Sequence, residues 1–149
     1  MANAGNLEST LEFLQIKPAR ARPRRTEGKG KREPLVLGLT IPAAAVKVAA
    51  QHSGITEAEM LEIAGIPSRT FIRRKGKDLA RDESDRVLRA ARITRLALSV
   101  FEHEAKTKEW LTTPNPVLGN ARPIDLCRTD QGANDVEQEL GRIEWGEFS

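Results

Sequence analysis

The run TEAEMLEIAGIPSRTFIRRKG, residues 56–76, reads as two short helices joined by a glycine turn. Thr56 and Glu59 form a capping box, in which each side chain satisfies the other residue's backbone N–H. Met60, Leu61 and Ile63 follow as a packing face. The segment Ala64-Gly65-Ile66-Pro67 then stops the helix, because glycine takes the left-handed conformation that closes a helix and proline cannot continue one. Ser68 is expected to cap a further helix, Arg69–Lys75, which Gly76 closes. Helix, tight turn with glycine, helix is the helix-turn-helix arrangement.

The second of these helices divides its side chains by chemistry. Ser68, Arg69, Thr70, Arg73, Arg74 and Lys75 are polar or basic, whereas Phe71 and Ile72 are expected to turn toward the core. A recognition helix needs this division, since its first residues reach base edges in the major groove. Arginine is the commonest donor to guanine there, and Arg73, Arg74 and Lys75 suit phosphates. Six basic residues lie between Arg69 and Arg81, opposed by Asp78 alone. The same pattern also suits an ordinary helical hairpin with a solvated basic face, and the residues by themselves leave both readings open.

Upstream, Thr40 followed by Pro42 suits a helix start, Ala43–Gln51 favours helix and Gly54 can end it. Further upstream, Leu7, Leu11 and Leu14 share a helical face with Phe13 and Ile16 nearby. That piece is so short that it is expected to dock weakly or fray. Between them, residues 17–34 hold three prolines, two glycines and no large apolar side chain. Such a composition predicts a basic arm without fixed structure, either a linker or a tracker of phosphates.

Downstream, Asp82-Glu83-Ser84-Asp85 is an acidic helix start that complements the helix dipole. The long helix that follows carries Val87, Leu88, Ala91, Leu96, Ala97, Val100 and Phe101 on one broad face, with Arg86, Arg89, Arg92 and Arg95 on much of the other. It is expected to be the pillar of the domain, a dimer surface, or both. The stretch EHEAKTKEW predicts a short exposed helix that ends by burying Trp110. Pro114 and Pro116 forbid helix in the next loop. A short PIDL helix follows, and Asp130 is expected to cap a final helix. Along it Gly132, Val136, Leu140 and Ile143 form one stripe, Gly132 and Gly141 permit close approach, and Gly146 ends the helix.

The segment from Trp110 onward resembles the toxin-binding region of the Xre/MbcA/ParS antitoxins, partners of RES-domain toxins. The matching pieces are Trp110-Leu111, Pro114-Asn115-Pro116 with Leu118-Gly119, Pro123-Ile124-Asp125-Leu126, Thr129 with Gly132, Val136-Glu137, and Leu140-Gly141-Arg142-Ile143-Glu144, with Gly146 and Phe148 behind them. The match extends upstream to about Arg81, whereas residues 1–35 match nothing in the family. The resemblance implies an all-α fold, with a helix-turn-helix module over residues 35–80 and a helical toxin-binding domain over 81–149; composition places a basic and largely disordered arm, 1–34, ahead of them. It implies a type II antitoxin that forms homodimers, neutralises an NAD-depleting RES-domain toxin, and represses its own promoter by binding operator DNA.

Charge distribution fits two partners of opposite sign. The 149-residue chain carries a net charge of +3, with eight basic residues against Glu27 from Lys17 to Arg32, and seven acidic against three basic from Asn120 to Ser149. An NAD-binding cleft must attract a pyrophosphate, so an acidic tail complements it. Arg142, Ile143, Glu144, Trp145, Glu147, Phe148 and Ser149 with its carboxylate are therefore the expected toxin-binding residues, with Trp145 and Phe148 as aromatic anchors. The rival is that Ile143 and Trp145 finish the core while the last residues fray.

Enzyme chemistry finds little support. His52 and His103 sit in different helices without partners at metal-ligand spacing. The single cysteine, Cys127, excludes an internal disulfide and a cysteine-based zinc site, and suits a small core residue. There is no GxGxxG, no phosphate-binding loop and no GxSxG, so no catalytic residue, metal or cofactor is expected. No apolar run approaches the ~20 residues of a membrane span, and the expected location is the cytoplasm. The other function classes are a helix-turn-helix regulator without a toxin, and a helical scaffold that binds only protein.

Overall fold

The computed structural model describes residues 4–16, 40–74 and 76–146. Its elements are α1 (Ala4–Phe13), α2 (Ala45–Ser53), α3 (Glu57–Ala64), α4 (Ser68–Arg73), α5 (Arg81–Phe101), α6 (Glu104–Thr112), a 3-10 turn (Pro116–Leu118), α7 (Pro123–Leu126) and α8 (Asp130–Glu144). Only isolated β-bridges, Pro42 with Asp78 and Asn115 with Ala121, interrupt this helical composition among the described residues. The fold is all-α, as the sequence predicts. The basic arm lies outside the described residues, as do Lys75, Glu147, Phe148 and Ser149.

The 21-residue α5 is the pillar. Its neighbours are α1, α2, α3, α6 and α8, and Val87, Ala90, Ala91, Ile93 and Ala97 are sealed between them. Small residues recur along this helix, which lets the surrounding backbones come close. The buried apolar residues of all these elements join one continuous core. Two hydroxyls inside it are satisfied locally: Ser53 Oγ donates to Ala49 O at 2.8 Å and lies 2.9 Å from Thr94 Oγ1. Such pairing removes the cost of burying a polar group.

The expected arginine face of α5 is a set of ties. Arg86 donates to Ala64 O at 3.1 Å, Arg89 to Cys127 O at 3.1 Å with Asp130 at 2.9 Å, and Arg92 to Glu137 at 3.2 Å. Spacings of three place these side chains in one row, and the row reaches α3 on one side and α7 and α8 on the other.

Several local expectations need correction. The helix after Thr40 begins at Ala45, not at Pro42; Thr40 Oγ1 instead faces Asp78 at 3.5 Å, and Ile41 N–H donates to Ser84 Oγ at 3.1 Å. The N-terminal helix does not hang loosely: Leu11, Leu14 and Ile16 are buried, and the Phe13 ring stacks on His52 with centroids 3.8 Å apart. Leu111, not Trp110, is the sealed anchor of α6, while Trp110 is half-buried beside Phe101. Thr129, not Asp130, caps α8 by accepting from Gly132 N–H at 3.0 Å. Gly132 is a true close approach, since a Cβ there would stand 2.0 Å from Leu126 O, whereas Gly141 faces open space.

Candidate functional site

Two surfaces stand out because large apolar side chains are left in water on each of them. The first is α4. The capping box forms as read, with Thr56 N–H donating to Glu59 at 2.9 Å and Glu59 N–H to Thr56 Oγ1 at 3.1 Å. At the other end of α3, Gly65 takes φ +69° and its N–H returns to Glu62 O at 3.1 Å. That turn presents α4 on the surface. Ser68 is the first residue of α4 rather than its cap, because Pro67 occupies the capping position and no side chain caps the helix.

A six-residue helix has a narrow inward face, and here it belongs to Phe71 and Arg74, three residues apart. Phe71 packs on the core. Arg74 pairs with Glu83, which also accepts from Ala80 N–H at 2.7 Å at the start of α5. The charge of Arg74 is thus turned inward and fixes the roll of α4. Ile72 is the correction: it lies about 100° round the helix from Phe71 and is 67% exposed. Ser68, Arg69 and Arg73 share its outward side, and Thr70 is half-buried. Position along the helix, with one inward side chain every third residue, was the signal that could have placed Ile72 outside.

The second surface lies at the far end of the molecule's sequence. Asn115 caps the 3-10 turn by accepting from Val117 N–H at 3.0 Å, and this holds Val117 outward, 59% exposed. Trp145 ends α8 and is 82% exposed, with Gly146 at φ +72° behind it. Between them runs an open groove of about 630 Å³, lined by Val117, Leu118 and Leu126 on one side and by Gly141, Arg142 and Trp145 on the other. Of the residues expected to bind toxin, Arg142 and Trp145 meet on this groove. Ile143 is half-buried and Glu144 exposed elsewhere on α8. Arg142 is also paired with Glu139. Trp145 does not finish the core, against the rival reading of the tail. The sequence reading missed Val117 and the space before Gly141.

Electrostatics tie α3 to the segment around α7. Arg122 grips Asp125 through two bonds, 2.8 and 3.0 Å, and reaches Glu59 on α3 at 3.4 Å. The hydrogen bonds that Arg122 donates to Asp125 hold its guanidinium above its usual value. The Thr56 N–H bond, with help from Arg122, holds Glu59 below the usual carboxylate range. Arg128 faces Glu62 at 3.7 Å. Cys127 is sealed beneath α7, and burial pushes its thiol up to about 12, so it stays protonated and unreactive at neutral pH. His103 caps α6 by accepting from Lys106 N–H at 3.1 Å. Among the described residues no three His, Cys, Asp or Glu side chains could hold a metal ion, and no helix is long and apolar enough to cross a membrane.

Two parts of the chain match families of known proteins. Residues 40–92 match the family described as the antitoxin Xre-like helix-turn-helix domain, and residues 96–146 match the antitoxin Xre/MbcA/ParS C-terminal toxin-binding domain. Antitoxin Xre of Yersinia enterocolitica is 37% identical over 100 residues, 65% of this chain and 68% of that protein. Antitoxin Xre of Photorhabdus laumondii is 35% identical over 115 residues, 74% of this chain and 77% of its own length. Antitoxin Xre of Pseudomonas putida is 40% identical over 83 residues, 54% of this chain and 52% of the relative. With α4 presented by a glycine turn, an open groove on the C-terminal helices, a family match on each part, and relatives 37% and 35% identical over 68% and 77% of their lengths, the chain belongs to the Xre family of antitoxins of toxin–antitoxin systems.

Proposed function

We propose that this antitoxin neutralises a RES-domain toxin that depletes NAD, by seating the groove between α8 and the 3-10 turn against the toxin and laying the acidic tail over its substrate entrance. The observation that carries the reading is Trp145, 82% exposed at the end of α8. An indole left in water beside an apolar groove is a poor arrangement for an isolated protein and a good one for an interface anchor. The groove is rimmed by Arg142, Glu139 and Asp135, a polar border around an apolar centre of the kind interfaces use. Glu144 and Glu147 supply the negative charge that an anion-binding cleft attracts.

The second half of the reading is operator binding by a homodimer. Arg69 and Arg73 are outward and exposed on α4, so they and Ser68 are the groups that reach bases and phosphates, with Thr70 beside them and Lys75 following. Arg74 contributes by orienting the helix through Glu83. Two-fold pairing would match a palindromic operator in a cytoplasmic setting.

Co-expression tests the first half. The intact chain should restore growth and NAD level in cells making the cognate toxin. Trp145→Ala should weaken toxin binding about 30-fold or more, and deletion of residues 144–149 should abolish protection while leaving the helical content intact. Full protection by both variants would overturn the reading and leave a helix-turn-helix regulator whose tail is idle.

A further inference from the structure

We infer that Ile72 reads the 5-methyl group of a thymine in the operator, which makes it a specificity-determining residue rather than part of the core. The inference rests on the operator-binding reading above and adds to it the base that one side chain selects.

Three observations converge on it. Ile72 is 67% exposed, and a branched aliphatic side chain standing in water gains free energy when an apolar group covers it. Among the described residues, the hollow in which it stands is lined by Ile72 with Arg69 and Arg73. The covering partner must therefore offer an apolar spot with negative charge on both sides. Nothing acidic lies on α4 to alter that requirement. The floor of the DNA major groove meets it: the thymine methyl is the one apolar group that base pairs present there, and phosphates flank it on either strand. The third observation is rigidity. The Arg74–Glu83 pair and Phe71 hold the opposite side of α4, so Ile72 cannot roll inward when the partner is absent.

Deoxyuridine differs from thymidine only by that methyl, and this permits an atom-level test. The intact chain first selects its preferred duplex from a random-sequence pool. Each thymine in that duplex is then replaced in turn by uracil, and affinity is measured by fluorescence anisotropy. The unmodified chain should lose about fourfold at one thymine of each half-site, the effect of one buried carbon. Ile72→Ala should bind the thymine duplex as weakly as the intact chain binds the uracil duplex, and uracil should then make no further difference. The side chain is exposed, so circular dichroism and Tm of this variant should match those of the parent. Indifference to uracil at every position would overturn the inference and leave operator binding intact. Equal uracil sensitivity in Ile72→Ala would overturn it too, by assigning the methyl to another residue. A change of oligomeric state in Ile72→Ala, together with indifference to uracil, would assign the side chain to a protein interface. Selection of no duplex at all would remove both operator binding and this inference.

Discussion

Two glycines of α8 show how little a residue type says without its surroundings. Gly132 and Gly141 both sit in one amphipathic helix, and the sequence reads them alike. In the structure a Cβ on Gly132 would collide with Leu126 O at 2.0 Å, whereas one on Gly141 would meet nothing within 4 Å. Gly132→Ala should therefore destabilise the fold by about 3 kcal/mol, because backbone must move. Gly141→Ala should stabilise it by about 0.5–1 kcal/mol, because alanine loses less entropy in a helix. Urea denaturation of the two variants checks both signs. Gly141→Ala also puts a methyl on the floor of the groove, so on the proposed function it should weaken toxin binding while raising stability. Ile72 teaches the same lesson from the other side. Its hydrophobicity suggested the core, but its position 100° from Phe71 left it outside, and only the length of α4 decided between them.

Elements that carry their own boundary signals were legible. The capping box of α3, the glycine stops after α2 and α3, the PIDL helix and the long α5 all rest on contacts within a few residues, and each is where the sequence predicts it. Elements bounded by distant partners were not. Thr40 and Pro42 are drawn to Asp78 by a bridge across 36 residues, so they cannot start α2. The partners of the arginine row of α5 were not legible, because its acceptors, Ala64 O, Cys127 O, Asp130 and Glu137, lie far away in the chain.

The α3 cap yields a prediction with a definite sign. Glu59 is held below its usual value by Thr56 N–H and Arg122. Between the folded and unfolded values the unfolded chain binds more protons, so stability rises with pH there. The contribution is complete above the unfolded carboxyl value of about 4.3 and disappears as pH falls through the lower folded one. Glu59→Gln should be less stable than the parent by about 0.5 kcal/mol at pH 7, given the exposure of the pair, and the gap should narrow as the pH is lowered into the acidic range. Thermal melts across that range decide it, and a constant difference would remove the charge from the account.

At the level of the whole molecule, two functional parts share one interior. The helix-turn-helix match ends at residue 92 and the toxin-binding match begins at residue 96, and both points fall inside α5. The buried residues on either side belong to a single cluster, and Arg122–Glu59 and Arg128–Glu62 fasten α3 to the C-terminal part. Heating should therefore give one calorimetric transition, with equal calorimetric and van't Hoff enthalpies. Two resolved transitions would show that the parts melt independently. The sequence resemblance supplied both parts and their order, yet it could not reveal their fusion, since a helix shared between modules leaves no linker composition to read.

The placement of that border inside α5 bears on inheritance. A recombination event that joined the DNA-reading half of one such gene to the toxin-reading half of another would place its crossover in the middle of a rod about 31 Å long, where Ile93 and Thr94 are sealed in the core. Hybrid offspring would inherit mismatched packing along the whole seam. On the proposed function, taste in operators and taste in toxins should for that reason descend through a lineage as one block, changing by substitution at the two exposed ends and rarely by exchange of halves.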